Sequence, residues 1–337
     1  MLMKILQKTA KKKLINTLEY KPKLCINCSM CSTVCPHSVF QPGKDIATLG
    51  NSKAIIADNR IKNILDELTD WPGTVLNSHK SANQPFYKLF FLTDLGITEE
   101  DIPEIIQKVL THVSDEGPFT LPMNISTKYG GNGEDTWAWA LCDTPTIAYS
   151  LIKMGLKDND LVKKSIRYLV NLINENGYHC KVSKKLGRFR GPGKKNDPCP
   201  YATLIMLRLL NELDGYEKEK DICNKCLLKL WERSKEEHPY MFYMGNDFRK
   251  LKAPLFWYDI LNVVDVLSRN SKIVKDNRFI DMLKEIEKKV DQDGKFKAES
   301  IYRSWREWDF NQKKEPSSWI TYYVVRIKDR LQRQNGF

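Results

Sequence analysis

Three short turns set the period of this chain: SDEGPF ending at Phe119, NENGYH around Tyr178, and DQDGKF ending at Phe296. Each follows a segment with apolar residues spaced near 3.6: EIIQKVLTHV, IRYLVNLI and FIDMLKEIEKKV. In each, a glycine (Gly117, Gly177, Gly294) stands where a left-handed residue ends a helix, and an aromatic residue follows. The steps are 60 and 117 residues, the second close to twice 59, and a weaker copy, EEHPYMF, fills the gap near Pro239 to Phe242. The 337 residues therefore hold about four units of roughly 56 to 61 residues, each long enough for two helices.

The helices pair by pattern. QPFYKLFFLTDLG precedes a helix near 101–113, TWAWALCDTPTIAYSLIKMG one near 159–173, PYATLIMLRLLNEL one near 217–235, and PLFWYDILNVVDVLSR one near 277–290. The first member of each pair is strongly apolar and starts at a proline or a polar cap; the second carries more charge. That asymmetry predicts buried helices inside and amphipathic helices outside. SSWITYYVVRIKDRL closes the chain as a last helix, and no strand pattern recurs.

The other strong signal is CINCSMCSTVCPHSVF, which places Cys25, Cys28, Cys31 and Cys35 in a C-x2-C-x2-C-x3-C-P run. Two-residue spacings let successive thiolates face one centre, and Pro36 redirects the chain. Structural zinc, the rival donor reading, takes two separated pairs, and no second pair sits nearby. The segment resembles half of a bacterial-type ferredoxin, which implies a [4Fe-4S] cluster on these four cysteines. Where a second run would stand, Ile61, Ile64, Glu67 and Trp71 occupy the ligand spacing with Pro72 after them, so no second cluster is held there, and a plain helix of the next domain is the favoured reading. The fourth ligand is Cys35, a distant cysteine (Cys142, Cys180, Cys199, Cys223 or Cys226), or none.

The helix–glycine–aromatic repeat over about 60–335 resembles the α/α toroid of terpenoid cyclases and protein prenyltransferases, including the squalene-cyclase-type repeat. The expected architecture is mainly α: a ferredoxin-like segment at 1–56 and an α/α toroid at 57–337. The resemblance implies a central, aromatic-lined cavity at one end of the inner helices, often binding isoprenoid chains. The chain departs from that family at the chemistry: neither D-x-D-D nor D-D-x-x-D occurs. Protein prenyltransferases hold zinc through Asp, Cys and His. Here Cys142, Asp143, His179, Cys180 and Cys199 offer a second metal set, although their local motifs do not match that family. CNKC at Cys223–Cys226 reads as two helix cysteines.

The segment KVSKKLGRFRGPGKK carries Lys184, Lys185, Arg188, Arg190, Lys194 and Lys195 among glycines and no acid. A cationic Gly-rich loop at a cavity mouth can grip a diphosphate; the bland alternative is a solvated loop. FRKLKAPLFWYD repeats the theme with Arg249 and Lys250 before Trp257. Trp137, Trp139, Trp257, Trp305, Trp308 and Trp319 either line the cavity or pack as core.

Nine cysteines in a chain without a signal-peptide pattern point to metal or redox use rather than disulfides, and to the cytoplasm. No apolar run is long enough to span a membrane. The net charge of +12 suits an anionic partner: an acidic protein or a phosphorylated ligand, with nucleic acid disfavoured because no module of that kind occurs. The expectation is an iron–sulfur protein exchanging electrons with a donor or acceptor protein. Its toroid binds or modifies an apolar, isoprenoid-phosphate-like ligand, or else docks a protein partner without catalysis.

Overall fold

The computed structural model describes residues 59–77, 81–189, 197–234 and 246–334. The four-cysteine run, its cluster and Arg190, Lys194 and Lys195 of the basic loop lie outside them. The described residues are mainly helical. The principal helices are α1 (Asn59–Thr69), α2 (Pro85–Asp94), α3 (Pro103–Thr111), α4 (Thr144–Leu151) and α5 (Asp160–Val170). They continue with α6 (Pro200–Leu210), α7 (Glu217–Glu232), α8 (Ile260–Leu267), α9 (Asn277–Glu287) and α10 (Ser318–Gln334). The expected helix pairs are all present, but α4 begins only at Thr144, because Thr136–Ala138 ahead of it pairs as a strand, and α8 begins only at its Asp259 cap.

Burial separates the two layers. Every residue of α4, α6 and α8 is buried, as is Phe86–Leu92 of α2. The outer helices bury one stripe each: Val162, Ser165, Ile166, Leu169 and Val170 on α5, and Phe279, Met282 and Ile286 on α9. The inner helices pack in succession, α2 on α4, α4 on α6, α6 on α8 and α8 on α10. α10 returns to α2, where Phe91 meets Trp319 at 5.1 Å and Tyr323 Oη donates to Asp94 at 2.6 Å. Five inner helices thus close a ring, and α3, α5, α7 and α9 follow their inner partners outside it. α1 is a plain helix on α2 and α3, with Ile61, Ile64 and Leu68 buried. The ferredoxin-like spacing of Ile61, Ile64 and Glu67 is therefore a helical stripe.

The turns that set the sequence period are latches between units. Thr144 Oγ1 donates to the Phe119 carbonyl; the Tyr178 and Phe296 amides donate to Thr203 and Thr321 Oγ1. All three are 3.0 Å long and span 25 residues. Phe119, Tyr178 and Phe296 are buried against the next inner helix. Gly177, at φ 122°, sits where a Cβ would lie 3.0 Å from both Thr203 Oγ1 and Cys226 Sγ. A side chain there would break the latch. The few strands are parts of these connections: Leu121–Met123 pairs antiparallel with Thr136–Ala138, and Ile173–Asn174 with Gly177–Tyr178.

The ring's axis is filled. Tyr87 stacks on Phe256 at 4.7 Å, and Arg208, buried, lies over Phe90 at 4.6 Å. Arg208 donates to the Leu255 carbonyl and to Asn262. The tryptophans divide the same way. Trp305, Trp308 and Trp319 pack with Phe91 and Phe310 at the seam between α2 and α10. All three are buried, and Trp305 and Trp308 also border a pocket of about 170 Å³ with Arg60, Glu67 and Lys88.

Candidate functional site

The inner helices begin at one face of the ring, and their caps build a polar cluster there. The segment before α4 runs antiparallel to the one after Tyr178. The Leu141 amide donates to Lys181 O at 2.9 Å, the Ser183 amide donates to Trp139 O at 2.8 Å, and Ala140 faces Val182. Cys199 caps α6 and is drawn in by its own amide, which donates to Tyr178 O at 2.7 Å. These constraints bring three thiols together: Cys142 hydrogen-bonds both Cys180 and Cys199. Those contacts, first with Cys180, and then burial push its thiol well above the usual range.

Beside the thiols lies a phenol pair. Tyr87 and Tyr201 hydroxyls are 2.8 Å apart, and Tyr201 donates onward to the Phe256 carbonyl at 3.0 Å. Tyr87 is therefore the donor between the two. Burial holds both phenols protonated. Trp257, half-buried, covers Tyr201 at 4.2 Å between centroids.

The cap of α8 adds charge. Asp259 is fully buried and accepts from the Asn262 amide at 3.0 Å. Burial pushes its carboxyl up to about 6, against the pull of Lys252. Lys252 is only 6% exposed and lies over the Tyr302 ring at 5.6 Å. A raised acid binds its proton more tightly folded than unfolded. Its contribution is present below the ordinary aspartate range and is lost as pH rises through about 6. The wild type should therefore lose on the order of 3 kcal/mol relative to Asp259→Asn between pH 4 and pH 7. Parallel urea titrations at the two pH values read the difference, and equal pH slopes would refute it.

Not all the sequence-predicted residues join this cluster. Asp143 folds back onto its own turn, accepting from the Ala140 amide at 3.3 Å and Thr144 Oγ1 at 3.2 Å. His179 Nε2 meets Asn176 Oδ1 at 3.0 Å. The expected Cys–Asp–His metal set is thus not assembled: among the described residues no three His, Cys, Asp or Glu are arranged to hold an ion. Cys223 and Cys226 are buried on α7, and burial pushes the Cys226 thiol up to about 12. Trp139 donates to Glu116 at 2.6 Å, and Trp137, 41% exposed, stacks on His112 at 4.0 Å.

The expected basic rim is split. Lys184 and Lys185 open a short 3-10 turn anchored on the 124–136 region, where the Arg188 amide donates to Gly130 O at 2.7 Å. Arg249 turns to the outer layer, pairing with Glu285 at 3.4 Å and covering Trp231 at 4.5 Å, and Lys250 pairs with Asp247 at 3.7 Å. Sequence reasoning missed Tyr87, Tyr201, Tyr302 and Asp259. The available signal was a polar residue repeated just before each apolar inner helix: Asp143, Cys199, Asp259, Ser317.

At the opposite end, the C-terminal ends of α2, α4, α6 and α8 border a cavity of about 500 Å³. Asp265 sits beneath it, pairing with Arg326 at 2.9 Å, Arg330 at 3.5 Å and Arg269 at 3.6 Å. Burial raises the Asp265 carboxyl, but the guanidinium groups, Arg326 first, reverse that and hold it well below the usual carboxylate range. Cations here offset the negative ends of the inner helices.

No family model and no curated protein matches the chain. Among solved structures it is similar to a glycosyl hydrolase family 88 protein from Bacteroides vulgatus, at 12% identity and a TM-score of 0.39, over 98% of this chain and 99% of that one. A likeness at that level assigns neither fold family nor chemistry.

Proposed function

We propose that this chain is an iron–sulfur protein whose helical ring, of the terpenoid cyclase and protein prenyltransferase kind, binds an apolar, isoprenoid-phosphate-like ligand in a redox-linked step. The observation that carries the reading is the run Cys25, Cys28, Cys31, Cys35 followed by Pro36. Four thiolates at that spacing suit a [4Fe-4S] cluster, which supplies one-electron transfer when bound. The ring's contribution is the face where the inner helices begin. Trp257 and Tyr201 offer an aromatic wall, Lys252 a cation, and Lys184 and Lys185 lie on a segment that continues from Cys180. No helix among the described residues is long and apolar enough to cross a membrane.

The filled ring axis favours a second reading, in which the domain docks an electron-transfer partner and performs no chemistry. Anaerobic purification with iron and sulfide counts, and EPR of the reduced protein, tests the shared premise. About four irons per chain are expected, and their loss in Cys35→Ser makes the module self-contained. A chain without iron overturns both readings. Calorimetry with geranylgeranyl diphosphate then separates them, since binding supports the first and its absence the second.

A further inference from the structure

The thiol cluster is not explained by packing alone. Cys223 and Cys226 are buried on one outer helix, as structural cysteines are. Cys142, Cys180 and Cys199 come instead from three separate segments, and Cys142 lies against each of the other two. Two backbone facts define how. The bonds from Leu141 to Lys181 and from Ser183 to Trp139 flank Ala140 and Val182 as a non-hydrogen-bonded antiparallel pair. The chain turns at Leu141–Asp143 directly after that pair, so Cys142 and Cys180 each stand one residue beyond the bonded Leu141 and Lys181. Both cysteines are half-buried, whereas Cys199 is buried and its sulfur accepts from the Ala202 amide at 3.5 Å.

The geometry points to Cys142 and Cys180 as a redox-active dithiol that closes to a disulfide, with Cys199 remaining a thiol beside it. The oxidant is a low-molecular-weight disulfide. The Cys180 thiolate attacks one sulfur of that reagent, forming a mixed disulfide and releasing one thiolate. Cys142 then loses its proton and attacks Cys180 Sγ, forming the Cys142–Cys180 bond and releasing the second thiolate. Two protein thiols are oxidised, the reagent gains two electrons, and two protons leave with the products. The closed bond would tie the start of α4 to the strand leaving Tyr178, directly beside the Tyr87–Tyr201 pair. The test reads thiol chemistry at these residues, so its failure is distinguishable from that of the iron count above.

The test is peptide mapping of the full-length protein after oxidised glutathione, against a dithiothreitol-treated control. The three cysteines fall on separate tryptic peptides, 129–153, 168–181 and 196–208. The expected product joins the first two, with loss of two hydrogens, and dithiothreitol reverses it. In Cys142→Ser the link is lost and a glutathione adduct stays on Cys180; in Cys199→Ala the link is retained. A link from Cys142 to Cys199 would overturn the proposal. So would a glutathione adduct as the sole wild-type product, or thiols that oxidise only after a chelator strips a bound ion.

Discussion

Asp265→Ala is expected to destabilise the protein by about 3–5 kcal/mol, the cost of removing one partner from a buried ionic network. Asp265 is 1% exposed and is the shared counter-charge of Arg269, Arg326 and Arg330. Without it, three guanidinium groups crowd the ends of the inner helices with only Asp94 and Glu212 to offset them. Asp265→Asn should recover little, because the charge rather than the volume is what the arginines need. Urea titration of both variants decides it: an Asn variant with wild-type stability would refute the electrostatic account. The pH dependence has a definite sign. A depressed carboxyl contributes stability above the ordinary aspartate range near pH 4 and loses it as pH falls through the folded-state value. The Asp265 contribution is therefore lost only in acid, opposite in direction to that of Asp259.

The second large effect is at the seam. Trp319→Ala should cost about 3–5 kcal/mol, as for other buried large-to-small changes. Trp319 contacts Phe91 at 5.1 Å and Phe310 at 5.9 Å, and its Nε1 donates to Tyr323 Oη at 2.8 Å, which donates on to Asp94. Trp319→Phe keeps much of the ring volume and loses the indole donor, so it should cost about 1–2 kcal/mol. Near-UV circular dichroism and chemical denaturation of the two variants read the difference. Equal losses would mean the hydrogen-bond chain, not packing, holds the seam.

The helices and their layers were legible because the physics that forms them is local. A 3.6 period, a capping residue and a glycine–aromatic turn all lie within one unit, as in ENGY at 175–178. The convergence of Cys142, Cys180 and Cys199 was not legible as a site. The three are 38 and 19 residues apart, and only the pairing of 139–141 with 181–183 and the bond from the Cys199 amide to Tyr178 O bring them together. The tryptophans show the same limit. Trp319 in a seam and a tryptophan facing a cavity share the same apolar neighbours in sequence. Asp143 and His179 drop out of the metal set for a local reason, since each finds a partner within three residues.

The contact that shuts the ring joins Tyr323 to Asp94, 229 residues apart, while each latch between units spans only 25. During synthesis the early units can therefore dock one upon another as they leave the ribosome, yet the last joint must wait for α10. Until then the apolar flank of α2 that carries Phe91 is uncovered. The nascent chain is thus an open arc with one sticky edge for most of its translation, and α10, the only inner helix with a wet side, is the piece that seals it.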